Sequence, residues 1–160
     1  MALLKTEYLQ ETVKELHLMV DLWQKVRDFL KIARSNEPIT KEHEAEFLRV
    51  KSEGSKYHRI LKRKLTDKET RIKKLDFPYD NMIEILRGSI SIAHLRGLPE
   101  ADQKKLQSDW HKTFIGLCTV AGAYEFLSSD QINLARAAKR TKERTGLLGK
   151  VTGVFRRGKK

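Results

Sequence analysis

The chain is almost without cysteine. Cys118 is the single one among 160 residues, and one thiol builds neither an internal disulfide nor a cysteine metal site. Because Cys118 stands in the apolar stretch Phe114–Leu127, it is expected to be a buried structural thiol. Burial would raise its pKa and make it a poor nucleophile. Glycine and proline are also scarce, nine and three, too few for the turns that many short strands need. Long hydrophobic runs are missing as well. The longest uncharged stretch, Thr113–Tyr124, falls well short of the roughly 18 apolar residues of a bilayer span. The opening residues Met1–Glu7 lack the basic region and apolar core of a secretory signal. The expected address is therefore cytoplasmic, with peripheral attachment to a membrane left open.

What is present is charge. Charged residues make up 34% and hydrophobic residues 39%, a balance that suits a helix bundle with solvated outer faces. The length fits one domain with a real core. The net charge of +12 is unevenly placed. Residues 1–48 carry seven basic and nine acidic side chains, and residues 75–135 five and eight. Residues 49–74 carry eleven basic against three acidic, and residues 136–160 ten against one. Two basic segments in a mildly acidic chain point to an anionic partner more than to general solubility.

The apolar residues repeat at helical spacing. Leu9, Val13, Leu16, Val20 and Trp23 form one stripe, and Met19, Leu22, Val26, Phe29 and Ala33 a second beside it. This predicts a helix over about Leu3–Arg34 whose face is wide enough to touch two neighbours. Pro38 ends the segment, since proline disfavours helical geometry in the residue before it. Thr40 is a candidate N-cap for a second helix. Phe47, Val50, Gly54, Tyr57, Leu61, Leu65, Ile72 and Leu75 keep one phase, so a single helix to about Leu75 is expected. The competing reading is a break at Thr66-Asp67-Lys68-Glu69, which has the spacing of a capping box.

Asp76-Phe77-Pro78 reads as a turn, with Pro78 at the first position of a third helix. That helix is expected to run to about Arg96 with Met82, Ile83, Leu86, Ile90 and Ala93 inward, and with Gly97 as a left-handed cap. Pro99 opens a fourth helix whose core face is Leu106, Trp110, Phe114, Leu117, Ala121 and Tyr124. Gly116, Ala121, Gly122 and Ala123 offer little bulk, so this helix is expected to be the most buried. Ser128–Gln131 either caps a fifth helix or lies within a continued fourth one. Short links favour antiparallel neighbours. The expected fold is all-α: an up-down antiparallel four-helix bundle over residues 1–130, followed by a basic amphipathic C-terminal helix and tail over 131–160. No internal repeat or low-complexity block interrupts it.

Signals of catalysis are weak. The histidines are His17, His43, His58, His94 and His111, and three residues before them stand Lys14, Thr40, Ser55, Ser91 and Ser108. A di-iron bundle requires Glu-x-x-His there, and no two histidines stand four apart on one helix face. The glycines of Gly146–Gly158 lack the lysine-bearing phosphate loop and its preceding strand. Glu42, Glu44 and Glu46 read as a solvated first turn favoured by the helix dipole. His94 reads as a helix-end cap and His111 as a surface residue. No metal, no cofactor and no catalytic residue are expected, and no oligomeric state follows.

The binding candidates are basic. Arg59, Lys62, Arg63, Lys64, Arg71, Lys73 and Lys74 make a central stripe. It is either a docking line for phosphates or a solvated face paired with the acidic first helix. The second candidate is the C-terminal segment: Arg136, Lys139, Arg140, Lys142, Arg144, Leu147, Leu148, Lys150, Val151, Val154, Phe155, Arg156, Arg157, Lys159 and Lys160. Wound as a helix, Leu147, Leu148, Val151, Val154 and Phe155 fall on one face with cations at its margins. Such a segment suits a membrane interface, apolar side down and cations on anionic headgroups. Its glycines cost roughly 1 kcal/mol each against alanine in a free helix, so folding is expected to wait for a surface. The competing reading is a tail that stays disordered or packs back on the bundle.

Three functional readings follow. The first is a non-enzymatic interaction or adaptor module whose basic-apolar tail engages an anionic membrane surface or an acidic protein partner. The second is a nucleic-acid-binding protein using residues 49–74 and the tail on phosphates, although no helix-turn-helix, zinc or RNA-binding motif is present. The third is a small enzyme with a site assembled from distant residues.

Overall fold

A computed structural model describes the backbone of residues 2–66 and 75–155 and the side chains of residues 6–66, 75–134 and 136–141. The protein is all-helical, and no strand occurs among the described residues. Among the described residues five helices follow in order: α1 (Ala2–Arg34), α2 (Lys41–Leu65), α3 (Tyr79–Gly88), α4 (Ile92–Arg96) and α5 (Glu100–Phe155).

Helix α1 is the spine. Its two stripes bury Leu9, Leu16, Trp23, Met19, Leu22, Val26, Phe29 and Ala33, and it packs against both α2 and α5. Each pairing runs antiparallel. Toward α2, Phe29 meets Phe47 edge-on at 5.3 Å, while Glu11 and Glu15 reach Lys64. Toward α5, Arg34 hydrogen-bonds Gln107, and His17 lies 3.6 Å from Glu125. The α1–α5 contact is locked by two tryptophans. The Trp23 indole donates to the Trp110 carbonyl at 3.3 Å, and the Trp110 indole donates to the Trp23 carbonyl at 2.9 Å. Both side chains are buried, so each ring contributes apolar area while its one polar hydrogen is satisfied.

Helix α2 starts as expected. The Thr40 hydroxyl accepts the His43 amide at 3.1 Å, and the His43 ring accepts the Thr40 amide at 3.4 Å, a reciprocal cap with histidine in the glutamate position. The carboxyl of Glu42 in the same turn sits below its ordinary pKa, held there by a backbone hydrogen bond and by Thr40. The helix ends at Leu65, ten residues before Leu75. Thr66 caps its C-terminus, its hydroxyl donating to the Lys62 carbonyl at 2.7 Å. The remainder of the capping-box quartet lies at positions 67–69, outside the described residues. His58, which shares the buried face of α2 with Gly54 and Leu61, is buried. Its Nε2–H donates to the Tyr79 carbonyl at 2.9 Å and ties α2 to the start of α3.

The third expected helix is two. It stops at Gly88, and Ser89, Ile90 and Ser91 are not helical. Glycine and serine favour the break, because serine offers the backbone hydrogen bonds that compete with the helix. The Ser91 hydroxyl then caps α4 by accepting the His94 amide at 2.9 Å. Glu44 of α2 takes the two amides before that one, Ile92 at 3.0 Å and Ala93 at 2.9 Å. Glu44 is therefore a cap across the fold, not a solvated acid. The break also shifts the phase. Ile90 and Ala93 face solvent, while Ile85, Ile92 and Leu95 are buried in their place. Pro78 takes the N-cap position, one residue before the first helical residue, Tyr79.

Gly97 is not left-handed. Its φ of −75° is right-handed, and its amide donates back to Ala93 and His94. The carbonyls on either side of it are met by the side-chain amide of Gln103, 3.1–3.2 Å from the oxygens of Leu95, Arg96 and Leu98. Arg96 in turn donates to the carbonyls of Ile32, Ala33 and Glu37, closing the end of α1.

Helix α5 continues through Ser128–Gln131 without interruption and runs to Phe155. Trp110, Leu117, Val120, Ala121 and Tyr124 are buried along its inner face, with Leu106 and Phe114 half-buried beside them. Gly116 admits the ring of Pro78, whose Cγ lies 3.4 Å from where a Cβ would stand. Gly122 faces open space. Cys118, expected in the core, is exposed. The uncharged stretch around it supplies both faces of the helix, and Cys118 lies on the outer one. Partial desolvation still raises its thiol pKa, so it is protonated at neutral pH.

Candidate anionic-surface interface

The two basic segments differ in how much of their charge is free. On α2, Arg49 is held between Glu46 and Glu53, with contacts of 2.5 and 2.7 Å. Those carboxylates raise the guanidinium pKa, and Arg49 in turn lowers that of Glu46. The Lys51 ammonium lies 5.7 Å over the Phe47 ring, where burial lowers its pKa. Arg59, Lys62 and Arg63 are exposed, and among the described residues no carboxylate pairs with them. Lys62 lies 5.9 Å over the Tyr79 ring.

Lys64 leaves the stripe altogether. It is buried, with its ammonium 2.9 Å from Glu15 and 3.0 Å from Glu11. Burial by itself lowers its pKa, but the hydrogen bonds and charges of the two glutamates outweigh that and raise it. One cation of the central stripe thus pairs with the acidic first helix, while no described carboxylate pairs with Arg59, Lys62 or Arg63. Arg71, Lys73 and Lys74 lie outside the described residues.

The C-terminal segment is arranged differently. Among the described side chains of α5, the last buried one is Ser128. From Ser129 to Thr141 the described side chains are exposed except for half-buried Gln131 and Ile132. Arg136, Lys139 and Arg140 are among the exposed ones, and no described carboxylate pairs with them. Lys142, Arg144, Leu147, Leu148, Lys150, Val151, Val154 and Phe155 stand on the helical backbone of α5, their side chains outside those described. Arg156, Arg157, Lys159 and Lys160 lie outside the described residues. The helical backbone to Phe155 places positions 147, 148, 151, 154 and 155 on one face. At about 1.5 Å per residue, the 27 residues beyond Ser128 make an arm roughly 40 Å long.

Two open depressions of about 220 and 310 Å³ flank Phe77 and Tyr79 near the end of α2. No three metal-ligating side chains are grouped among the described residues, and no described helix is long and apolar enough to cross a membrane. Sequence reasoning misses the outer face of α5 around Cys118, since lack of charge does not distinguish an exposed face from a buried one. No family model, curated protein or solved structure matches this chain.

Proposed function

We propose that the protein is a non-enzymatic interaction module that docks on anionic membrane surfaces through the C-terminal arm of α5. In this reading the body over residues 1–130 is an up-down antiparallel four-helix bundle with its third helix split, and residues 131–160 are the binding element. One observation carries it. Among the described side chains of α5 the last buried one is Ser128, with Gln131 and Ile132 half-buried after it, while the helical backbone runs on to Phe155, and residues 136–160 hold ten basic side chains against one acidic. Each basic residue close to an anionic bilayer contributes about 1 kcal/mol. The apolar positions from 147 to 155 add roughly 25 cal/mol per Å² that they bury.

Helical backbone through position 155 removes part of the entropy cost that the glycines suggested, so the arm meets the surface already ordered. A second reading, nucleic-acid binding, draws on the exposed cations Arg59, Lys62 and Arg63 of α2. It is weakened by the loss of Lys64 and Arg49 to carboxylates.

Flotation with anionic and neutral vesicles, beside a salt-titrated nucleic-acid shift, separates the two. Deleting 146–160 should leave the melting temperature nearly unchanged and abolish most vesicle binding. Replacing Leu148 and Phe155 by serine removes apolar area without touching charge. It should weaken vesicle binding strongly and leave any nucleic-acid shift, dominated by phosphate contacts, nearly intact. Unfolding on deletion, or vesicle binding indifferent to the double change, would overturn the membrane reading.

A further inference from the structure

The outer face of α5 carries an apolar surface on which no described residue packs. Between Lys112 and Glu125 the helix has no charged residue, and its inner side chains account for only half of that stretch. Facing outward are Ile115, Cys118, Thr119, Gly122 and Phe126, which recur at helical spacing. Ile115 is 53% exposed and Phe126 76%. Gly122 has no atom within 4 Å of where a Cβ would stand. The Thr119 hydroxyl donates to the Ile115 carbonyl at 2.8 Å, so covering this face strands no hydroxyl. Single exposed apolar residues are ordinary; a charge-free row over three helical turns is not.

The row is complementary to itself in one orientation. Set two copies of α5 antiparallel about a two-fold axis between Val120 and Ala121. Ile115 then lies across from the partner's Phe126, and Thr119 across from the partner's Gly122. Small residues at the crossing let the backbones approach, and the large apolar ones close each side. The charges beyond the row agree with this register. Lys112 and His111 stand at one end of the face and Ser129 and Asp130 at the other. The same axis sets Lys112 and His111 against the partner's Asp130. A parallel pair would instead set Lys112 against the partner's Lys112.

From this pattern we infer that the outer face of α5 is an isologous dimer interface, occupied by a second copy of this chain in antiparallel register. One helix pair covers less than the roughly 1,200–2,000 Å² of a standard stable interface, so the dimer is reversible and concentration-dependent. This inference does not rest on the arm's ligand, because its residues end at Asp130.

Sedimentation velocity of the full-length protein, from sub-micromolar to on the order of 100 µM, tests it. The wild type should pass from monomer to dimer. Phe126→Glu and Gly122→Leu should weaken association on the order of tenfold or more. Their helical circular dichroism should persist, since both positions face solvent in the monomer. Lys112→Glu and Asp130→Lys should each weaken the dimer, and the two combined in one chain should restore it, as only antiparallel pairing allows. A wild type monomeric throughout, or one indifferent to Phe126→Glu, overturns the inference. Failure of the double charge swap to restore association overturns the register. A monomer whose Phe126→Glu variant loses vesicle binding would assign the face to a membrane instead.

Discussion

Replacing Lys64 by methionine puts the buried charge cluster to a quantitative test. Methionine keeps the length and most of the volume of the side chain and removes the ammonium. Glu15, whose side chain is 14% exposed, then loses the cation 2.9 Å away. Breaking one side of a buried pair costs about 3–5 kcal/mol, because the remaining charge stays desolvated. The residual exposure of Glu15 places this pair at the low end, about 3 kcal/mol. Glu11 is 65% exposed, so Glu11→Gln should cost less than about 1 kcal/mol.

Removing both halves should recover most of the loss. The double change Lys64→Met with Glu15→Leu is expected within about 1–2 kcal/mol of the wild type, since an apolar pair carries no desolvation penalty. Urea unfolding followed by circular dichroism measures all four proteins, provided their slopes agree. For a chain of this size, 3 kcal/mol corresponds to about 6–12 °C in melting temperature. The sign with pH follows from the raised pKa of Lys64. Its contribution is fully present below the unfolded value of 10.5 and is lost as pH rises through the higher folded value. The gap between wild type and Lys64→Met should therefore narrow in strong alkali. Near-wild-type stability of Lys64→Met at neutral pH, or a double variant no better than the single one, would refute the reasoning.

Trp110→Ala should cost about 3–5 kcal/mol as a buried aromatic, and Trp110→Phe less, near the 1 kcal/mol of one hydrogen bond plus a smaller ring; equal costs in chemical unfolding would remove the indole–carbonyl pair from the account. Glu44→Ala should cost about 1 kcal/mol, the value of a lost cap, and should speed hydrogen exchange at the amides of Ile92 and Ala93 before any other site. Cys118 should react fully with a maleimide in the native protein at concentrations where the chain is monomeric, more slowly than a free thiol because its pKa is raised; a thiol that reacts only in denaturant would return it to the core.

What the sequence by itself determined is whatever depends on neighbours within a turn or two. The two stripes of α1, the Thr40 cap, the break at Pro38 and the inward Trp23 and Trp110 are of this kind, because helical period and capping act over three or four residues. So is the concentration of charge in residues 49–74 and 136–160, which needs only counting. What tertiary structure decided is what depends on a group far along the chain. Lys64 reads as one more cation of a basic run until Glu11 and Glu15, on another helix, are found beside it. Glu44 reads as a first-turn acid until α4 presents two free amides to it. Gly97 needs no left-handed cap because Gln103 meets the carbonyls instead. The exposure of Cys118 is of the same kind: an uncharged stretch of helix has two faces, and only packing against α1 and α3 shows which one is covered. That no described carboxylate pairs with Arg136, Lys139 and Arg140, while Lys64 is paired, is of the same kind. A charge's partner is a matter of distance in space, which spacing along the chain does not carry.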